Sequence, residues 1–125
     1  MIIDGIEISP LLKALNKFEQ FRLNINTEQE KAGAIQAFEY SYELIWKTMK
    51  RFLSLRGIIV NSPRETFRAA ALEELIDDPE TWFIFIKNRN IITHTYNETE
   101  VEKILSIFPL FSSKSKEFLK NIGAA

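Results

Sequence analysis

The sequence predicts an all-α protein: an antiparallel up-and-down bundle of about five helices around a four-helix core. Three observations predict it. Serine, threonine and aspartate stand at helix-length intervals as candidate caps, and several are followed by proline. The apolar residues between them fall three and four positions apart, which gives one stripe on an α-helix. Only four glycines and four prolines occur in 125 residues, too few for the many turns of an all-β fold.

The first helix is expected to open at Ser9-Pro10, with Ser9 as cap and Pro10 at the first helical position, and to run through Leu11, Leu12, Leu15, Phe18 and Leu23. The second opens at Thr27-Glu28-Gln29-Glu30, a capping box in which the Thr27 hydroxyl takes the Glu30 amide and Glu30 reaches back. Its stripe is long: Ile35, Phe38, Tyr42, Ile45, Met49 and Phe52, with Gly57 as the stop. Ser62-Pro63-Arg64-Glu65 repeats the device for a third helix lined by Phe67, Ala70, Ala71 and Leu75. Asp78-Pro79 caps a fourth, which carries Trp82, Phe83, Phe85 and Ile86. Thr99 and Glu102 form a further box before Val101, Ile104, Leu105 and Phe108, and Pro109 kinks or breaks that last helix. No strand is expected, and residues 123–125 should fray. Ten phenylalanines predict an aromatic-rich core, with Trp46 and Trp82 in it.

The chain is long enough to bury a core as a single domain, residues 1–125, with 46% hydrophobic and 26% charged residues. It has no cysteine, hence no disulfide, thiolate nucleophile or cysteine metal site. The opening Met1-Ile2-Ile3-Asp4-Gly5 is not a signal peptide, and no apolar run nears the ~20 residues of a membrane span. A cytoplasmic protein with no membrane partner is the expectation. The net charge of −1 excludes a wholesale basic nucleic-acid binder. The distribution is uneven, however. Residues 47–68 hold Lys47, Lys50, Arg51, Arg56, Arg64 and Arg68 against Glu65 alone, while residues 69–86 hold five acids and no base. The plain reading is two solvated helix faces. The functional reading is a basic strip for phosphates, with Lys47, Lys50 and Arg51 as candidate substrate contacts, beside an acidic strip for a protein partner.

One stretch concentrates chemistry: Lys87-Asn88-Arg89-Asn90-Ile91-Ile92-Thr93-His94-Thr95-Tyr96-Asn97-Glu98, which contains the only histidine. Histidine exchanges a proton near neutral pH, and arginine grips nonbridging phosphate oxygens. Phosphodiester chemistry on RNA, which carries its own 2′-OH nucleophile, is therefore the natural candidate. No metal and no cofactor are expected, because one histidine without clustered acids is a poor metal site and there is no glycine-rich phosphate loop. On a straight helix Arg89 and His94 lie about 140° apart. They converge only if the helix ends or bulges near Ile92–Thr95, or if a symmetric homodimer brings Arg89 of one subunit to His94 of the other. The bland reading has His94 as a cap or surface residue, Arg89 paired with an acid from 73–80, and Tyr96 as a packing aromatic.

Several segments also match a known family in order. They are Gln36-Ala37-Phe38-Glu39-Tyr40, Glu43-Leu44-Ile45-Trp46-Lys47-Thr48, Ser62-Pro63-Arg64-Glu65, Leu75-Ile76-Asp77-Asp78, Trp82, and Arg89-Asn90 through His94-Thr95-Tyr96. Over roughly residues 10–110 the chain resembles the nucleotidyltransferase substrate-binding proteins, the short all-α branch of the HEPN superfamily. The resemblance implies a dimerising helical bundle that partners a minimal nucleotidyltransferase. The wider superfamily implies a metal-independent ribonuclease toxin neutralised by that partner. Arg89 and His94 would then be catalytic, Asn90 a polar helper and Tyr96 the acceptor of AMP. One departure accompanies it: an acid is expected just before the motif arginine, and Asn88 stands there. Two rivals remain open beside the ribonuclease: a non-catalytic subunit presenting a substrate to the nucleotidyltransferase, and a helical dimer without chemistry.

Overall fold

Helix α2 (Glu28–Leu55) is the longest helix and the main packing partner of the first and third helices. The computed structural model describes residues 1–93 and 97–125. Around α2 stand α1 (Ser9–Arg22), α3 (Pro63–Leu72), α4 (Pro79–Ile92), α5 (Glu98–Ser106) and α6 (Phe108–Asn121). The all-α bundle expectation holds, with six helices among the described residues.

The caps explain where these helices begin. Thr27 and Glu30 form the expected reciprocal box on α2, with the Glu30 amide donating to the Thr27 hydroxyl at 3.1 Å and the Thr27 amide to the Glu30 carboxylate at 2.9 Å. Ser62 caps α3 and Asp78 caps α4, each followed by proline as read from the sequence. The end of α2 is also as expected. Gly57 sits at φ +78°, the left-handed region that glycine enters without strain, and its amide and that of Ile58 close back onto Ser54 and Leu53.

Four expectations need correction. Ser9 is not the cap of α1: Ile8 holds that position without a side-chain bond, while the Ser9 amide donates to the Glu7 carboxylate. The Thr99–Glu102 box is replaced by Asn97, whose side-chain carbonyl accepts from the Glu100 amide at 2.9 Å; asparagine two residues earlier is at least as good a cap, and Glu102 instead meets Lys31 at 3.1 Å. Residues 123–125 are not simply frayed, because Gly123, at φ +85°, closes α6 with its own amide on Lys120 and the Ala124 amide on Leu119. Strand is also present: β1 (Ile2–Ile3) and β2 (Ile6–Glu7) pair antiparallel, with Ile2 opposite Glu7. Asp4 and Gly5 both have positive φ, as a two-residue hairpin turn requires. Pro109 breaks rather than kinks, for α5 ends at Ser106 and proline opens α6.

The core is aromatic. Phe111 of α6 stands among Phe18 of α1, Phe38 of α2 and Phe85 of α4, with ring centroids 5.2, 5.0 and 5.1 Å away, all near edge-to-face. Trp82 lies 6.2 Å off. Such pairs add about 0.5–1.5 kcal/mol each beyond the area they bury. Eight of the ten phenylalanines are buried. The other two, Phe21 and Phe83, carry basic side chains over their rings: Lys17 over Phe21, and both Arg64 and Arg68 over Phe83. Trp82 is in the core as expected, and Trp46 packs against it half-buried. No helix among the described residues is long and apolar enough to cross a membrane.

Candidate functional site

Helix α4 positions Arg89 and Asn90. Its buried face carries Trp82, Phe85 and Asn88 at intervals of three, so the turn that follows Asn88 must bring Arg89 and Asn90 towards the surface. Asn88 is only 2% exposed and its Nδ2 donates to the Ile84 carbonyl at 2.9 Å, while its Oδ1 is buried without a partner. The position before the motif arginine thus points into the bundle, not at a docking partner.

Arg89 does pair, but not with the 73–80 segment. Its Nε lies 3.9 Å from Glu39 and 3.9 Å from Glu43, both on α2. Neither contact is a hydrogen bond, and the buried Nε has no bonding partner. The guanidinium is therefore held by charge and packing. Among the described residues no hydrogen-bond acceptor meets its terminal nitrogens. Beside it opens a groove of about 610 Å³ between α1 and α2, lined by Lys17, Phe21, Gln36, Glu39, Tyr40 and Glu43 among others. Below it the Tyr42 phenol is pushed well above its ordinary range by burial and then by the Glu43 charge, against the opposing pull of Arg89 and Arg64. Tyr42 stays neutral at physiological pH and is no base.

Asn90 is exposed and lines a different hollow, of about 450 Å³, with Arg64, Glu80, Phe83 and Lys87. Within one protomer, then, the structure sets these two chain neighbours to separate surfaces. His94 and Tyr96 lie outside the described residues. Lys47 joins the Arg89 groove indirectly, since its Nζ is 3.5 Å from the second oxygen of Glu43. Trp46 Nε1 donates to that same oxygen at 3.3 Å. Lys50 and Arg51 do not join it. They lie seven and eight residues past Glu43, about 10–12 Å further along α2, and neither lines the groove. The basic strip is likewise divided: Arg56 is spent on the carbonyl and carboxylate of Glu73, and Arg64 and Arg68 turn to Phe83.

Sequence reasoning singled out Lys47, which does not itself line the groove, but not the wall that Gln36, Tyr40 and Glu43 form before it on α2. The signal was the 4-3-4 spacing of these four residues, a polar stripe on α2 opposite the apolar one. Among the described residues no group of three or more acids or histidines is placed to hold a metal ion.

Comparison with known proteins bears on the fold and the family. Haemophilus influenzae has a probable ribonuclease HepT that is 37% identical over 82 residues, which are 62% of this chain and 54% of that protein. The chain thus spans about half the length of this curated relative. A crystal structure of a Thermus thermophilus protein superposes with a TM-score of 0.84 at 25% identity, covering 90% of this chain and 98% of the other. A Haemophilus influenzae structure, described as revealing the fold of a substrate binding domain of a nucleotidyltransferase, also gives 0.84, at 27% identity, covering 93% and 98%. The family model described as nucleotidyltransferase substrate binding protein like matches residues 6–124. A match over nearly the whole helical bundle, Arg89 groove included, places the chain: it belongs to the nucleotidyltransferase substrate-binding-protein-like family.

Proposed function

We propose that this protein is a HEPN-type, metal-independent ribonuclease that acts as a toxin and is neutralised by a minimal nucleotidyltransferase. The observation that carries the reading is Arg89. It is anchored by two carboxylates at a distance that leaves its donors unspent, on the rim of an open groove. That is the arrangement a phosphate clamp needs: a fixed guanidinium with its outer edge available. His94, five residues on, supplies the proton carrier, taking the 2′-OH proton and returning one to the leaving oxygen. Because Arg89 and Asn90 face apart, a homodimer that seats Asn90 and His94 of one subunit opposite Arg89 of the other would complete the site. The similarity to the Haemophilus relative, a probable ribonuclease, agrees with this chemistry.

A second reading has its own observation. The Arg89 groove also holds Glu39, Glu43 and a 60% exposed Tyr40, a set that suits a cationic small molecule presented to a nucleotidyltransferase. The family description and the Haemophilus structure favour that role. One experiment separates the two. Wild type and His94→Ala are expressed without the partner, and growth and total RNA are followed. The ribonuclease reading expects growth arrest and fragments ending in 2′,3′-cyclic phosphate from wild type alone, undiminished by EDTA. Intact RNA and normal growth in both would leave the substrate-binding reading.

A further inference from the structure

We infer that the stack of Arg64 and Arg68 on Phe83 is a second RNA contact, one that takes the backbone of single-stranded RNA flanking the motif. The inference rests on the ribonuclease reading for the identity of the polymer.

Phe83 is one of only two phenylalanines left out of the buried core. Two guanidinium groups from successive turns of α3 lie over its ring, at 4.4 Å for Arg64 and 5.5 Å for Arg68. A guanidinium over a ring face is held there by the cation–π attraction, which restrains a flexible side chain, and its N–H groups remain to donate to other acceptors. Arg64, Arg68 and Lys87 are all exposed, and none has a carboxylate within 4 Å among the described residues. This sets them apart from Arg56 and Lys47, whose charge is met by Glu73 and Glu43. Glu80 is the one acid lining the hollow beside them.

Position decides the occupant. Phe83, Lys87 and Asn90 recur at intervals of four and three, so they share one face of α4 and cover roughly 10 Å along its axis. Arg64 reaches the same hollow. The stack therefore forms one end of a basic track whose other end is the motif residue Asn90. A polymer cleaved at the motif must leave along some surface, and this one offers fixed cationic edges with an aromatic beneath them. That is the composition of single-strand binding grooves, which track phosphates without reading sequence.

The test uses the whole chain and a fluorescein-labelled, random-sequence 2′-O-methyl RNA 12-mer, which lacks the nucleophile and cannot be cut. Anisotropy gives Kd across a salt series for wild type, Arg64→Gln/Arg68→Gln, Arg64→Lys/Arg68→Lys, and a remote control, Lys103→Gln/Lys120→Gln. Thermal melts confirm that each is folded. Removing two phosphate contacts should flatten the slope of log K against log salt by roughly 1.4 and weaken binding about tenfold or more at low salt. The lysine pair should keep most of the slope but bind more weakly than wild type, and the remote control should match wild type. A glutamine pair that binds like wild type overturns the inference. So does wild type that binds no RNA, or a glutamine pair that loses only co-purification with the nucleotidyltransferase, which would make the patch a protein-docking surface. Failure of the ribonuclease reading shows itself separately: RNA would be bound through the stack yet left uncut in cells.

Discussion

One carboxylate oxygen of Glu43 lies 3.9 Å from Nε of Arg89, too far for a hydrogen bond and near enough to hold the guanidinium by charge. The same carboxylate, through its other oxygen, meets Lys47 and Trp46. Arg89 is thus oriented by α2 without being consumed by it.

Replacing Arg89 by alanine should therefore abolish toxicity while costing at most about 1 kcal/mol of stability, because the side chain is part-exposed and its ionic contacts are long. Urea denaturation beside the growth assay checks both halves. A loss of several kcal/mol would make Arg89 a structural residue.

Phe111→Ala should be severe. It empties a site ringed by Phe18, Phe38, Trp82 and Phe85, and such truncations cost about 3–5 kcal/mol. Phe21→Ala, at the bundle surface, should cost less than half as much. Chemical denaturation of the two variants, compared at equal m-value, tests the ranking.

Stability should fall in acid. The Thr81 backbone amide holds the Asp78 carboxyl below its usual range, and Arg22, helped by Ser112, does so for Glu19. A depressed folded pKa contributes stability that is complete above the unfolded carboxylate value and is lost as pH falls through the folded one. Melting temperature should be nearly flat from about pH 8 to 5 and drop below about pH 4. Asp78→Asn with Glu19→Gln should lower it at neutral pH and flatten the acid limb.

Tyr96 should gain AMP. Co-expression with the nucleotidyltransferase is expected to add mass in multiples of AMP to this chain and suppress toxicity, since a phosphodiester two residues from His94 would compete for Arg89. Intact-mass spectrometry of wild type and Tyr96→Phe decides it. Suppression without added mass would point to sequestration by the partner.

Much of this fold was legible because helix starts are local. Thr27, Ser62 and Asp78 each bond an amide three residues ahead, so the cap is written within a four-residue window. Errors arose where neighbours compete: Asn97 outranks Thr99, and Ile8 displaces Ser9. The hairpin carried a legible Asp4-Gly5 signal, but its strands are two residues long and show no periodicity. The site was legible in composition and not in arrangement. Nothing in the order of residues 73–98 shows that Arg89 meets Glu39 and Glu43, since that contact depends on how α4 packs across α2. Nor does the order of residues show which stretch of α2 borders the groove, so that Lys47 reaches its edge through Glu43 while Lys50 and Arg51 lie beyond it.

The turn of α4 that sends Arg89 to one hollow and Asn90 to another makes that helix a watershed. On the ribonuclease reading, an RNA strand that engages both residues of one subunit would have to cross this helix, so Arg89 and Asn90 should grip different parts of the strand.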